Sequence, residues 1–172
     1  MKQLPLIVAL LLVLAIALFL QFRPESRPET STFTHTFEPE WTLHEDATVS
    51  FQHPVGLPGT YMKAIDWPPK VARADEYICV AEKTEMGETR EMVVNDHRYC
   101  VTTSAEGAAG SVYTDYRYLA EREGEAFVVT FSVKEVQCAN YDEPQKTACI
   151  TERESFSIDS MAVRIAESIA FK

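Results

Sequence analysis

The chain has 172 residues, 26 of them acidic and 16 basic, for a formal net charge of −10. That length suits one compact domain with a single core and is short for two. The acidic balance argues against nucleic acid as a partner, because phosphate binding needs clustered Lys and Arg.

Lys2 is the only charge before residue 21, and Leu4 to Leu20 is an unbroken apolar run. As a helix it reaches about 25 Å at ~1.5 Å per residue, near the lower limit for a bilayer span. Residues 1–22 therefore read as a signal anchor or a signal peptide. Ala15-Ile16-Ala17 has the small-residue spacing of a cleavage site, yet Leu18-Phe19-Leu20 continues the apolar run past it, which favours an uncleaved anchor. The membrane is thus an expected partner through this helix. Residues 23–32 (RPESRPETST) are polar and carry two prolines, as an extended tether does. Residues 33–172 are expected to form the folded domain.

Cys79, Cys100, Cys138 and Cys149 are even in number and contain no C-x-x-C pair, so neither a zinc knuckle nor a thioredoxin-type motif is indicated. Two disulfides in an oxidising compartment account for them most simply. This places the domain on the extracytoplasmic side, periplasmic or extracellular. Of the three connectivities, Cys79–Cys100 with Cys138–Cys149 is preferred, because each joins neighbouring segments.

Strand signals run through the middle of the chain. Residues 47–53 (ATVSFQH) alternate with Val49 and Phe51 on one face, and the turn-forming stretch 54–59 (PVGLPG) follows. Residues 61–67 read as a return strand stopped by Pro68 and Pro69. Residues 78–81, 90–94 and 98–103 are further short strands. Residues 112–121 and 125–136 form the clearest pair, an antiparallel hairpin turning at Glu123-Gly124. In its second arm Phe127, Val129, Phe131 and Val133 point one way and Thr130, Ser132 and Lys134 the other, so one face meets the core and one meets water. Ile158, Met161, Ile165 and Ile169 then recur at helical spacing, with Ser157 or Asp159 as cap. A helix burying one stripe beside a sheet with one apolar face predicts an α+β domain: an antiparallel β-sheet covered by a C-terminal amphipathic helix, behind the N-terminal transmembrane or signal-anchor helix.

Catalytic templates fail at their diagnostic residues. Ser111 after Gly107-Ala108-Ala109-Gly110 lacks a G-x-S-x-G elbow and a phosphate-loop ending, and reads as the exit of a tight turn. His35, His44, His53 and His97 show no metal-ligand spacing, so no metal, cofactor or catalytic residue is assigned. Tyr113 on the exposed face of the sheet, or Tyr141, Asp142 and Glu143 in the Cys138–Cys149 loop, form the candidate contact surface.

The run Phe51-Gln52-His53-Pro54-Val55-Gly56, followed by Tyr61 and Trp67, resembles the opening hairpin of PsbP-like domains, and the order of later elements is similar to that α+β fold. Residues 106–111 (EGAAGS) and Cys138-Ala139-Asn140-Tyr141 resemble uncharacterised membrane-anchored bacterial envelope proteins. These resemblances imply topology and fold, and supply no catalytic residues. The expected role is a membrane-anchored extracytoplasmic binding or accessory domain with an envelope protein as partner; the alternative is an extracytoplasmic hydrolase whose site is assembled from distant residues.

Overall fold

The structure is a computed structural model that describes residues 39–57 and 59–172. The expected anchor, the tether and the start of the domain at residue 33 lie outside the described residues, and no described helix is long and apolar enough to cross a membrane.

The α+β expectation is corrected. The chain is mostly β, with ten strands among the described residues arranged in two sheets rather than one. The smaller sheet has the order β1-β2-β10, from Trp41–Glu45, Val49–Pro54 and Ala170–Phe171. The larger contains β3 (Met62–Ala64), β4 (Lys70–Ala74), β5 (Glu82–Lys83), β6 (Gly87–Val94), β7 (His97–Ala108), β8 (Ser111–Arg122) and β9 (Glu125–Val136). The order across the large sheet is β3-β9-β8-β7-β6-β5, with β4 also pairing β9. The short strands β1 and β10 carry too few residues to display a period of two, which is why the sequence pattern does not separate the second sheet.

The centre of the large sheet is a meander of three two-residue hairpins. Each turn places both of its residues at positive φ: Asn95 and Asp96, Ala109 and Gly110, Glu123 and Gly124. That geometry matches the right-handed twist of the flanking strands, so long β7, β8 and β9 stay in register without bulges. The expected hairpin at Glu123-Gly124 is present. The return strand expected at 61–67 is shorter and pairs with β9, not with β2. Residues 78–81 join no ladder; Cys79 instead fastens this segment to β7.

Between β9 and the C-terminus the chain forms a 3₁₀ turn at Cys138–Asn140, helix α1 (Gln145–Ser155) and helix α2 (Ile158–Glu167). Helix α2 starts as expected: the Ser157 hydroxyl accepts from the Ser160 amide at 3.1 Å. Met161, Ala162, Ile165 and Ala166 are buried in one cluster with Val49 and Phe51 of β2 and with Val101, Tyr118, Val129 and Phe131 of the large sheet. At the end of this helix, Arg122 donates to the carbonyls of Glu167 and Ile169, a cation at the negative end of the helix dipole.

Candidate functional site

Both disulfides join the expected partners. Cys79–Cys100 has a Cα separation of 5.4 Å and Cys138–Cys149 one of 5.6 Å, both ordinary for the bond. Two disulfides in a chain of this size indicate an oxidising, extracytoplasmic environment.

The Cys138–Cys149 region is tied down by its own contacts. Glu143 accepts from the amide and the hydroxyl of Thr147, at 3.2 and 2.6 Å, and so ties the residue ahead of Pro144 to the first turn of α1. Asp142 offers its carbonyl to the Lys146 amide. Tyr141 packs edge-on against Tyr61, with ring centroids 5.4 Å apart. On the same helix Glu152 accepts from three successive amides, Thr60, Tyr61 and Met62, at 2.8, 2.7 and 3.0 Å. The stapled segment therefore clamps the loop that leads into β3. Tyr113 lies elsewhere, on the outer face of the large sheet, where the Lys134 ammonium sits 5.7 Å from its ring centroid. None of the four candidate contact residues lines the trough described next; Tyr113 lies one residue pair beyond it on the same outer face.

Pairing registers define the two faces of the large sheet. Tyr118, Val101 and Val129 are cross-strand partners, and so are Tyr116, Thr103 and Phe131; these point inward. Tyr118 donates to Asp159 Oδ1 at 2.6 Å, while Arg90 holds Oδ2 of the same carboxylate at 2.6 Å. Burial, reinforced for Tyr118 by its hydrogen bond to Asp159, raises both phenols above the ordinary tyrosine range, Tyr116 to about 12.

The residues between these positions face outward and build a polar row across five strands. Thr89 on β6, Thr102 on β7, Arg117 on β8, Thr130 on β9 and Lys70 on β4 are successive partners. At ~4.8 Å between strands the row is about 19 Å long. A second row runs beside it through Gly87, Ser104, Asp115 and Ser132. Two hollows, of about 200 and 170 Å³, lie over these rows and share Thr102 and Ser104, so that they form one shallow trough. Gly87 keeps its floor flat, since a Cβ there would lie 1.9 Å from the Thr103 carbonyl oxygen.

The charges in the trough are unevenly committed. Ser132 donates its hydroxyl to Asp115, and the Thr89 and Thr102 hydroxyls share a hydrogen bond of 3.1 Å. Lys70 stands 3.9 Å from Asp66 at one end. Arg73, Arg90, Arg98 and Arg153 all have carboxylate partners, Arg122 holds two carbonyls, and Arg164 lies 4.0 Å over the Trp41 ring. Arg117 is the one arginine among the described residues with no hydrogen bond, ion pair or ring contact, although the chain carries ten more acids than bases.

Beyond the trough, the segment fastened by Cys79 crosses the outer face at β6. Tyr77 donates to Glu91 at 3.1 Å, and Arg98 forms an ion pair with the same carboxylate. The Arg98 hydrogen bonds are the main reason that Glu91 titrates below the usual carboxylate range.

No histidine lines the trough, and among the described residues no group of three or more His, Cys, Asp or Glu is placed to hold one metal ion. The site's chemistry is hydrogen bonding from hydroxyls, one open guanidinium and one ammonium, with the carboxylates of Asp66, Asp115 and Glu82 along the same lining. The outward set Thr130, Ser132 and Lys134 is visible in the sequence as the polar side of β9, but the alignment of Arg117 and Thr102 beside it follows from hairpin registers alone. No family model, no curated protein and no solved structure matches this chain.

Proposed function

We propose that this chain is an extracytoplasmic binding domain, held at the membrane by its N-terminal apolar run, which engages an envelope component in the trough across the large sheet. The observation that carries this reading is the unpartnered Arg117, standing among hydroxyls in a hollow on a sheet whose other face packs the core. A side chain with five fixed donors is kept open where every other described arginine is satisfied. Central strands with saturated ladders make a rigid platform, so side chains can be presented at little ordering cost.

The test is site-specific photo-crosslinking of the full-length chain in intact cells. A photoreactive residue at Ser104 in the trough is compared with one at Glu154 on the exposed side of α1. The expected result is an adduct from the trough position that the Arg117→Ala background removes, with none from the helix. Equal adducts from both positions, or a trough adduct indifferent to Arg117, refutes the reading.

A further inference from the structure

We infer that the ligand of the trough is a polyhydroxylated chain bearing an isolated oxyanion, with that oxyanion seated at Arg117. This rests on the binding reading above and adds the chemistry of what is bound.

The trough disfavours two common classes of ligand. It runs across the strands, and its central strands already pair on both sides. An extended peptide therefore finds no free edge to add to along it. The side chains that the two rows present are those of Thr, Ser, Gly, Asp, Arg and Lys, with Met86 at the β6 end, so a peptide's alternate side chains would meet a largely polar floor. Bases of a nucleic acid stack on aromatic rings, and no aromatic side chain points outward in these rows.

What remains is a ligand recognised through its own hydroxyls and one negative charge. Arg117 is flanked by Thr102 and Thr130 at directly opposed positions, where Cβ atoms lie about 5 Å apart. A planar guanidinium between two hydroxyls can hold an oxyanion by two parallel N–H bonds with an O–H from either side. The carboxylate closest along the strand on this face, Asp115, accepts from Ser132 and makes no ion pair with Arg117, so the guanidinium keeps its donors free. Asp115 and Ser104 are then available to neighbouring ligand hydroxyls, the carboxylate as acceptor and the serine as donor or acceptor. A trough of about 19 Å takes roughly four sugar-sized units. Only Arg117 is open near its middle, and the chain as a whole is strongly acidic. A densely charged polyanion is therefore repelled, and a sparse oxyanion is favoured. The oxyanion can be a uronate carboxylate or a phosphodiester; the chemistry at Arg117 is the same.

The experiment is calorimetric titration of the full-length chain in detergent, disulfides intact, with three probes. These are a tetrasaccharide carrying a single uronate unit, the same tetrasaccharide carrying a single phosphodiester instead, and neutral maltotetraose. The expected result is binding of at least one acidic probe, with the neutral probe at least tenfold weaker. Arg117→Ala should weaken the acidic probe at least tenfold and leave near-ultraviolet circular dichroism unchanged, because Arg117 holds no other residue. Arg117→Lys should fall between the two. Which acidic probe binds identifies the source of the oxyanion. Binding of the neutral probe as tightly as the acidic ones overturns the assignment, and so does failure of both acidic probes. If the trough still crosslinks in cells in an Arg117-dependent way, only the ligand chemistry has failed; loss of both results removes the binding reading as well.

Discussion

Glu152 offers a sharp test of how the stapled segment is joined to the sheet. Its carboxylate accepts three successive amides at the approach to β3; those of Tyr61 and Met62 are partly buried, and that of Thr60 is exposed. A net hydrogen bond to a charged acceptor contributes about 1.5 kcal/mol at the lower end of its range, and much less where water competes. Two sheltered bonds and one exposed one give roughly 3.5 kcal/mol for Glu152→Ala. Glu152→Gln keeps one acceptor oxygen and puts an NH₂ where the second oxygen stood, so a cost of about 1.5–2 kcal/mol is expected. Urea unfolding followed by tryptophan fluorescence, with disulfides intact, measures both variants. For a domain of this size the Ala variant should also melt about 10 °C lower. Hydrogen exchange at Thr60, Tyr61 and Met62 should accelerate while the central strands stay protected. Gly59→Ala should mimic the loss, because its Cβ would lie 2.2 Å from the same carboxylate and its φ is +121°. An Ala variant costing under about 1 kcal/mol, or identical Gln and Ala variants, refutes the three-amide account.

Three more outcomes follow from the fold. Ala109 occupies the left-handed region at φ 49°, so Ala109→Asn should raise stability by about 0.5–1 kcal/mol in the same urea assay; a loss would contradict the turn assignment. The phenol of Tyr116, raised from 10.0 to about 12, favours the neutral form in the folded state. Its contribution is complete below pH 10 and disappears as pH rises from there through about 12. Alkaline ultraviolet titration should therefore show Tyr116 and Tyr118 silent until the chain unfolds; a single midpoint near 10 for all seven tyrosines would refute this. Replacing Cys79 and Cys100 together by Ser should cost about 3 kcal/mol, the loop-entropy value for such a spacing, and should speed exchange in residues 75–81. An unchanged unfolding midpoint would show that the crosslink does not restrain this segment.

The long strands are legible in the sequence because alternation over many residues has one solution: Phe127, Val129, Phe131 and Val133 can face the core together only in an extended chain. The helix stripe through Met161 and Ile165 is legible for the same reason at a different period. The division into two sheets is not. It depends on Phe171 and Val49, far apart in sequence, meeting as partners, and on β9 accepting two separate short strands along one edge. Helix α1 escapes notice because its residues 145–155 (QKTACITERES) bury only Cys149 and carry no apolar stripe. The trough escapes for a related reason. Arg117 and Thr102 become neighbours through the register of a hairpin, and register is fixed by turn geometry rather than by composition. The disulfide pairing, by contrast, was set by proximity along the chain, and proximity sufficed.

The small sheet also has a consequence for how the chain acquires its structure during synthesis. Strands β6 to β9 connect through turns of two residues, so their contacts are local and close early. Strand β2 waits for β10, which pairs Phe171 with Val49 and Ala170 with Ser50. A chain emerging from its amino end therefore carries one edge of β2, at Val49 and Ser50, unpaired until β10 appears. The disulfides span separations of 21 and 11 residues, short enough to lock while that delay lasts. Vulnerability to chaperone capture or proteolysis is then expected to concentrate on the first described strands, in the interval before the carboxyl end arrives.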